Sequence, residues 1–276
     1  MSARSPLSGS RTPGPAGADS LAEVASQYSL MLASLPGQPQ VESVAPGHGI
    51  VEGIQQGALY ADLSTSSSTL VRRIDAALRA KGASAIDTPV RGGPDHCRSG
   101  QLIILVGGED EQLESARPVL ADLADLAKEI MHVGPFGAGA VAKLVNNACT
   151  LVTFRMLSEL MSLGVKAAST TRPFSRSSSR GRGEGLPHTF VIPNVVFKHK
   201  FDPPGFALNL GREDVGRLTS LGRELNVPMP IANLSGQSAV ELVGCGHGGD
   251  TSIVFSLQET RAGVVMHDDD ADELEI

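Results

Sequence analysis

The chain has no tryptophan and only two tyrosines among its 276 residues. With 41% of its residues hydrophobic, it can still bury a sizeable core, but that core must be aliphatic. The three cysteines, Cys97, Cys149 and Cys245, are far apart and form no CxxC or metal-ligating spacing. They read as reduced thiols of an intracellular protein. The seven histidines are scattered, with no HExxH and no His-x-His pair, so no metal site is expected. The absence of GxSxG disfavours a serine-hydrolase elbow. Positive charge is in short supply too. A net charge of −7 argues against nucleic acid as a partner. No apolar run reaches the ~18 residues of a membrane span, so no membrane partner is expected either.

The first 18 residues carry two arginines and no acid. A transit peptide should also be amphipathic, whereas this stretch is broken by three prolines and three glycines. Residues 1–19 are therefore expected to be a disordered tail, and the cytoplasm is favoured over the mitochondrion. Residues 264–276, ending in HDDDADELEI, are expected to be a solvated acidic tail.

Between the tails the pattern changes once. Up to residue 136, extended and helical segments alternate. SLAEVASQ opens with a capping-box pattern, Ser20 followed by Glu23. YSLMLASLP reads as a strand, GHGIVEGIQQG as a helix and GALYADLST as a strand. SSTLVRRIDAALRAKG is a helix with Leu70, Val71, Ile74, Ala77 and Leu78 on one face, closed by Gly82. ASAIDTPV, QLIILVGG and KEIMHVG complete the strands, with a helix at EDEQLESARPVLADLA. Such alternation implies a parallel sheet covered by helices. From Gly137 to about Ala168 the period is purely helical, with Val141, Leu144, Val145, Ala148, Leu151, Val152, Leu157, Leu160 and Met161 as candidate buried positions. Residues 169–185, rich in Ser, Arg and Gly, read as a flexible insertion. The rest, to residue 263, reads as all-helical. Its helices run from near Phe206 to Leu225, around Pro230 to Gly244, and from Thr251 to about Ala262, the last capped by Asp250. The fold class expected is α/β, a sheet domain over residues 20–136 followed by an all-α domain over 137–263.

Three motifs sit where ligands bind in such folds. DTPVRGGP, residues 87–94, places two glycines after a strand. There they are either an anion-binding turn or an ordinary connection. DLSTSSS, residues 62–68, offers hydroxyls that cap the next helix or touch a cofactor. GPFGAGAVAKLVNN, residues 134–147, leads through glycines into a helix on which Lys143 and Asn147 share a face. A partly desolvated lysine near a helix N-terminus suits acid–base work near neutral pH.

In this order, and followed by FALNLGREDV, these segments resemble the β-hydroxyacid dehydrogenases. That group contains 3-hydroxyisobutyrate dehydrogenase, tartronate semialdehyde reductase and relatives of 6-phosphogluconate dehydrogenase. The similarity spans about residues 20–263. It implies a Rossmann-type domain joined by a long helix to a helical domain, and hydride transfer between NAD or NADP and a short 3-hydroxyacid. On this resemblance Lys143 matches the catalytic lysine and Asn147 the substrate-orienting amide. Gly92 and Gly93 match the backbone that binds the substrate carboxylate. Leu35, Pro36 and Thr65 line the cofactor, and Asp214 is retained beside it. A homo-oligomer is implied as well.

The sequence departs from the family at three places. The strand and G-x-G-x-x-G that open the family are not seen, so the resemblance is to an N-terminally incomplete member whose sheet lacks about two strands. YSLMLASLP is then expected to become an apolar edge. Arg91 stands where the family has a small hydroxyl residue; it either pairs with the substrate carboxylate or fills the substrate space. Glu213 stands where the family has a lysine. The alternative these departures raise is an inactive dehydrogenase-like protein that binds or oligomerises.

Overall fold

The computed structural model describes residues 18–45, 49–122, 127–168 and 187–266. Residues 1–17 of the expected tail, the whole insertion over 169–185 and residues 267–276 of the acidic end lie outside the described residues. The chain opens with α1, Leu21–Gln27, where the Ser20 hydroxyl accepts the Glu23 amide at 3.1 Å. The Glu23 carboxylate reaches one residue further back than a capping box requires and accepts from the Asp19 amide at 2.7 Å.

Strands β1 (Leu30–Ala33), β2 (Leu59–Asp62) and β3 (Ser84–Asp87) lie side by side and parallel. Among the described residues β1 is the edge, with Leu32 exposed. Between β1 and β2 the chain forms α2 (Gln38–Val44), which hydrophobic period did not reveal, and α3 (Ile50–Gly53), shorter than expected. Helix α4, Ser68–Arg79, is the crossover from β2 to β3. The Ser67 hydroxyl caps it by accepting the Leu70 amide at 3.3 Å, and Leu70, Val71, Ile74 and Leu78 are buried on the sheet.

The expected strand ASAIDTPV is broken after Asp87. It resumes as β4, Val90–Arg91, and is followed by α5, Pro94–Arg98, and β5, Leu102–Gly107. Strand β5 runs antiparallel to both β3 and β4, so the sheet is mixed rather than wholly parallel. The reason is length: a parallel return needs a crossover of about a dozen residues or more, and the short helix α5 cannot span the sheet. Helix α6, Asp110–Asp122, then leads to β6, Ala127–Gly134, parallel to β5.

Helix α7, Ala138–Ala168, has 31 residues and is about 46 Å long at 1.5 Å per residue. Its start is pinned to the sheet by Asp87. One carboxylate oxygen accepts the Gly137 amide at 2.7 Å, the other the Ala140 amide at 2.5 Å. Gly139 permits that approach: a Cβ there would stand 2.6 Å from the Leu105 carbonyl oxygen. Along α7, Leu144, Ala148, Leu151, Leu157 and Met161 are buried as expected, while Val141 and Val152 are half-buried. Val145 instead points outward, and Phe154, not anticipated, is buried against Phe255.

The π-helix Pro187–Val196, α8 (Leu208–Glu224), α9 (Pro230–Gly244), the 3-10 turn Thr251–Ile253 and α10 (Val254–Ala262) complete the helical half. Their apolar faces close around Leu151, Ile192, Val215, Leu242 and Phe255. Asp250 caps the last turn through the Ser252 amide at 2.9 Å, and its other oxygen holds the amides of Gly205 and Phe206. Among the described residues no helix is long and apolar enough to cross a membrane.

Burial pushes the Asp87 carboxyl up to about 6, against the pull of the Gly137 and Ala140 amides. The folded chain therefore keeps a proton that an unfolded aspartate releases near pH 3.9. Stability linked to Asp87 is greatest below about pH 4 and falls by roughly 3 kcal/mol as pH rises through about 6. Urea midpoints between pH 4 and 7 should show this slope. Asp87→Asn should reduce the slope to what buried Asp62 and Asp214 contribute, whose carboxyls are also raised by burial; an unchanged slope would refute the assignment.

Candidate active site

A cleft of about 590 Å³ opens at the carboxyl ends of β1 and β2, the place where doubly wound sheets bind ligands. Ser34, Pro36 and Gly37 enter it after β1, Leu63 and Thr65 after β2, and Gly92 and Gly93 after β4. Helix α7 contributes Lys143 and Asn147, and α8 contributes Asp214 and Arg217. Phe206 and its neighbours form the remaining wall; the Asp250 carboxylate holds them there.

The helical period explains how the two halves meet. Lys143 and Asn147 are one turn apart on the face of α7 opposite Val145, which is exposed. Asn147 Nδ2 donates to Asp214 Oδ2 at 2.7 Å, while Asn146 Nδ2 donates to Asn147 Oδ1 at 3.2 Å. Arg217 Nη1 donates to Asp214 Oδ1 at 2.7 Å, and Nη2 to Glu213 Oε2 at 2.8 Å. The buried carboxylate is thus held on both oxygens.

Burial and charge oppose each other here. Burial pushes the Lys143 ammonium below the usual lysine range; Arg91 pushes the same way and Asp214 resists. Burial pushes the Asp214 carboxyl up, against the Asn147 hydrogen bond and the charges of Arg217 and Lys143. A lysine placed between these influences gives up its proton more readily than a free lysine.

The structure gathers Pro36, Thr65, Gly92, Gly93, Lys143, Asn147 and Asp214 around one cleft. Leu35 is not on its wall; it packs against the apolar cluster around Tyr60, and its amide donates to the Ser64 hydroxyl at 2.9 Å. Arg91 is exposed at the rim. The Gly93 amide already donates to His96 Nδ1 at 3.3 Å. Gly92 has φ +128, and a Cβ there would stand 2.7 Å from Leu102, so the turn requires glycine. Glu213, which stands where the family has a lysine, is turned to Arg217. Arg217 itself was missed, although its i,i+4 spacing from Glu213 is legible on a helix. Cys97, also on the wall, carries no pattern that would have marked it.

Residues 8–134 match the family described as the NAD binding domain of 6-phosphogluconate dehydrogenase. Residues 137–257 match the NAD-binding of NADP-dependent 3-hydroxyisobutyrate dehydrogenase. The NAD-dependent L-serine dehydrogenase of Pseudomonas aeruginosa is 32% identical over 213 residues, covering 75% of this chain and 70% of that protein. The 2-(hydroxymethyl)glutarate dehydrogenase of Eubacterium barkeri is 29% identical over 245 residues, covering 88% and 80%. The 3-hydroxyisobutyrate dehydrogenase of Mycobacterium tuberculosis shares the fold with a TM-score of 0.76 at 23% identity, covering 86% of this chain and 81% of that one.

Asp214→Ala should leave Arg217 Nη1 and the Asn147 amide without their acceptor, while Arg217 Nη2 keeps Glu213, at a cost of roughly 1–3 kcal/mol. Glu213→Ala, at the open edge of the same set, should cost about 0–1 kcal/mol. Urea unfolding of both variants measures the contrast; equal losses would contradict the arrangement.

Proposed function

Because the chain belongs to the β-hydroxyacid dehydrogenase family, we propose that Lys143 is the general acid–base of its NAD(P)-dependent hydroxyacid oxidoreduction, acting on a short 3-hydroxyacid. The observation that carries this reading is the half-buried Lys143 amine in the cleft, with its pKa lowered by burial and Asp214 as its counter-charge. In the oxidative direction the neutral amine accepts the proton of the substrate hydroxyl. In the reductive direction the ammonium returns it to the carbonyl oxygen. Asn147, held by Asp214, offers its remaining amide hydrogen to the same substrate oxygen.

Pro36, Leu63 and Thr65 present a mainly apolar wall with one hydroxyl, which fits a nicotinamide ring and its ribose; when bound, that group supplies the hydride transfer. The substrate carboxylate is anchored at the rim by the turn at Gly92 and Gly93 together with the Arg91 guanidinium. With the Gly93 amide engaged by His96, Arg91 carries much of that anchoring. Within this reading, residues 20–136 form the nucleotide-binding unit and 137–263 the helical unit. Free thiols, two of the three exposed, fit a reducing intracellular compartment, the cytoplasm first.

A homo-oligomer is part of the proposal. Met156 and Leu163, seven residues apart on α7, and Ile231 and Leu234, three apart on α9, are exposed, apolar positions on each helix suited to a second copy of the chain. Sedimentation velocity should show a species larger than one chain. A monomer at micromolar concentration would remove this part of the reading.

Titration of NADH and NADPH, followed by cofactor fluorescence, tests the central claim. Saturable binding is expected for one or both, and its absence up to millimolar cofactor would sink the proposal for this chain. Lys143→Ala should lower kcat by roughly 10²–10⁴ with cofactor binding retained. Arg91→Met should raise the KM for the hydroxyacid by about tenfold or more, the loss of a charged hydrogen bond.

A further inference from the structure

Arg217 sits on the cleft wall with its side chain only 14% exposed. Its guanidinium bridges Glu213, at the open edge, and Asp214, which is buried. Asp214 in turn receives Asn147 Nδ2 on its other oxygen at 2.7 Å. The contacts run from solvent inward: Glu213, Arg217, Asp214, Asn147. The Lys143 amine stands beside the inner end, one helical turn before Asn147 on α7.

We propose that Arg217 is a positioning residue for the proton exchange at Lys143: by clamping Asp214 it holds a fixed negative charge facing the amine and keeps the Asn147 amide turned toward that charge. The proposal rests on the reading of Lys143 as acid–base. Arg217 touches neither reacting atom in this role; it acts through Asp214.

The charges facing each group set the direction of the effect. Lys143 is faced by Asp214 from α8 and by Arg91 from β4. Asp214 is faced by Arg217 on its own helix and by Lys143 and Asn147 from α7. Glu213 lies beyond, on the far side of the guanidinium. Without Arg217, a buried carboxyl loses one of its two donors and its salt-bridge partner, so it takes up a proton more readily. A carboxyl that has taken up that proton, or that swings away from the amine once unclamped, no longer opposes the desolvation of the Lys143 ammonium, and the amine deprotonates at lower pH. Removing a cation from the vicinity of Lys143 acts the other way. That effect is the weaker, because two carboxylates already neutralise Arg217.

The test compares the full chain with its Arg217→Met, Arg217→Lys and Glu213→Gln variants. The first measurement is the pH dependence of Lys143 acylation by acetic anhydride, read by peptide mass spectrometry, which needs no turnover. Arg217→Met should shift the Lys143 titration down by about one pH unit or more, a loss of roughly 1.4 kcal/mol of ammonium stabilisation. Arg217→Lys, with one charge but no fork to span both carboxylates, should give an intermediate shift. Glu213→Gln should shift it least. The second measurement is the alkaline limb of kcat/KM for carbonyl reduction, which should move by the same amount. A Lys143 titration that stays in place or moves upward in Arg217→Met overturns the proposal, as does a full-sized shift in Arg217→Lys. If Arg217→Met does not fold, the intermediate shift in Arg217→Lys remains the deciding result. A shift in labelling without turnover in any form of the chain upholds the Arg217 clamp and rejects the acid–base reading of Lys143, so the two failures are distinguishable.

Discussion

The carboxylate of Asp87, at the end of a central strand, takes the first free amides of the long helix. That contact joins the sheet to the helical half and sets the phase of α7. Because side chains on a helix repeat every 3.6 residues, fixing where the helix starts decides which residues face which neighbour along its whole length. Lys143 and Asn147 then face the cleft, Leu144, Ala148 and Leu151 enter the core, and Val145 points outward. The close approach requires Gly139, since any side chain there would strike the Leu105 carbonyl. An anionic cap at a helix N-terminus is favourable for the helix, yet burial opposes its ionisation and pushes the carboxyl up to about 6. Asp87 thus combines a strong local contact with an electrostatic cost.

The same opposition between burial and pairing recurs at the cleft. Lys143 and Asp214 are each desolvated, and each supports the charged state of the other. Arg217 and Asn147 complete the set, so Asp214 has a donor on each oxygen. Glu213 would bring a second negative charge beside an anionic substrate, but its salt bridge to Arg217 turns that charge aside. Asp250 serves the geometry more simply: it ties the loop carrying Phe206 to the last turn of structure, which sets the wall facing the sheet.

Periodicity carried much of the fold. The amphipathic stripe of α4, its serine cap and the thirty-residue run of α7 were legible because helices expose a regular pattern and termini need capping groups. Other features left no such mark. Helices of seven residues or fewer, such as α2 and α5, are too short to show a period. The reversal of β5 depends on what a short connection can span, and the broken strand at Thr88 and Pro89 reads as continuous when taken alone. At the site, the residues carried by distinctive motifs, Lys143, Asn147, Gly92 and Gly93, were legible in the sequence and line one cleft. Arg217 was not, because an arginine four residues after a glutamate is an ordinary surface pattern until a neighbouring helix buries it. Leu35 was assigned to the cofactor by its place beside Pro36, but its side chain packs into the apolar cluster around Tyr60 while Pro36 lines the cleft.

From the amino-acid order alone came the alternation of strands and helices, the helical second half, the lineage and the face shared by Lys143 and Asn147, because these follow from local spacing and motif chemistry. The tertiary structure decided the sheet's mixed direction, the exposure of Val145, and the meeting of α7 with α8 that pairs Asn147 with Asp214. It also decided which charges are desolvated, and therefore the depressed pKa of Lys143. Burial and long-range pairing arise when distant segments pack together, and no local pattern encodes them.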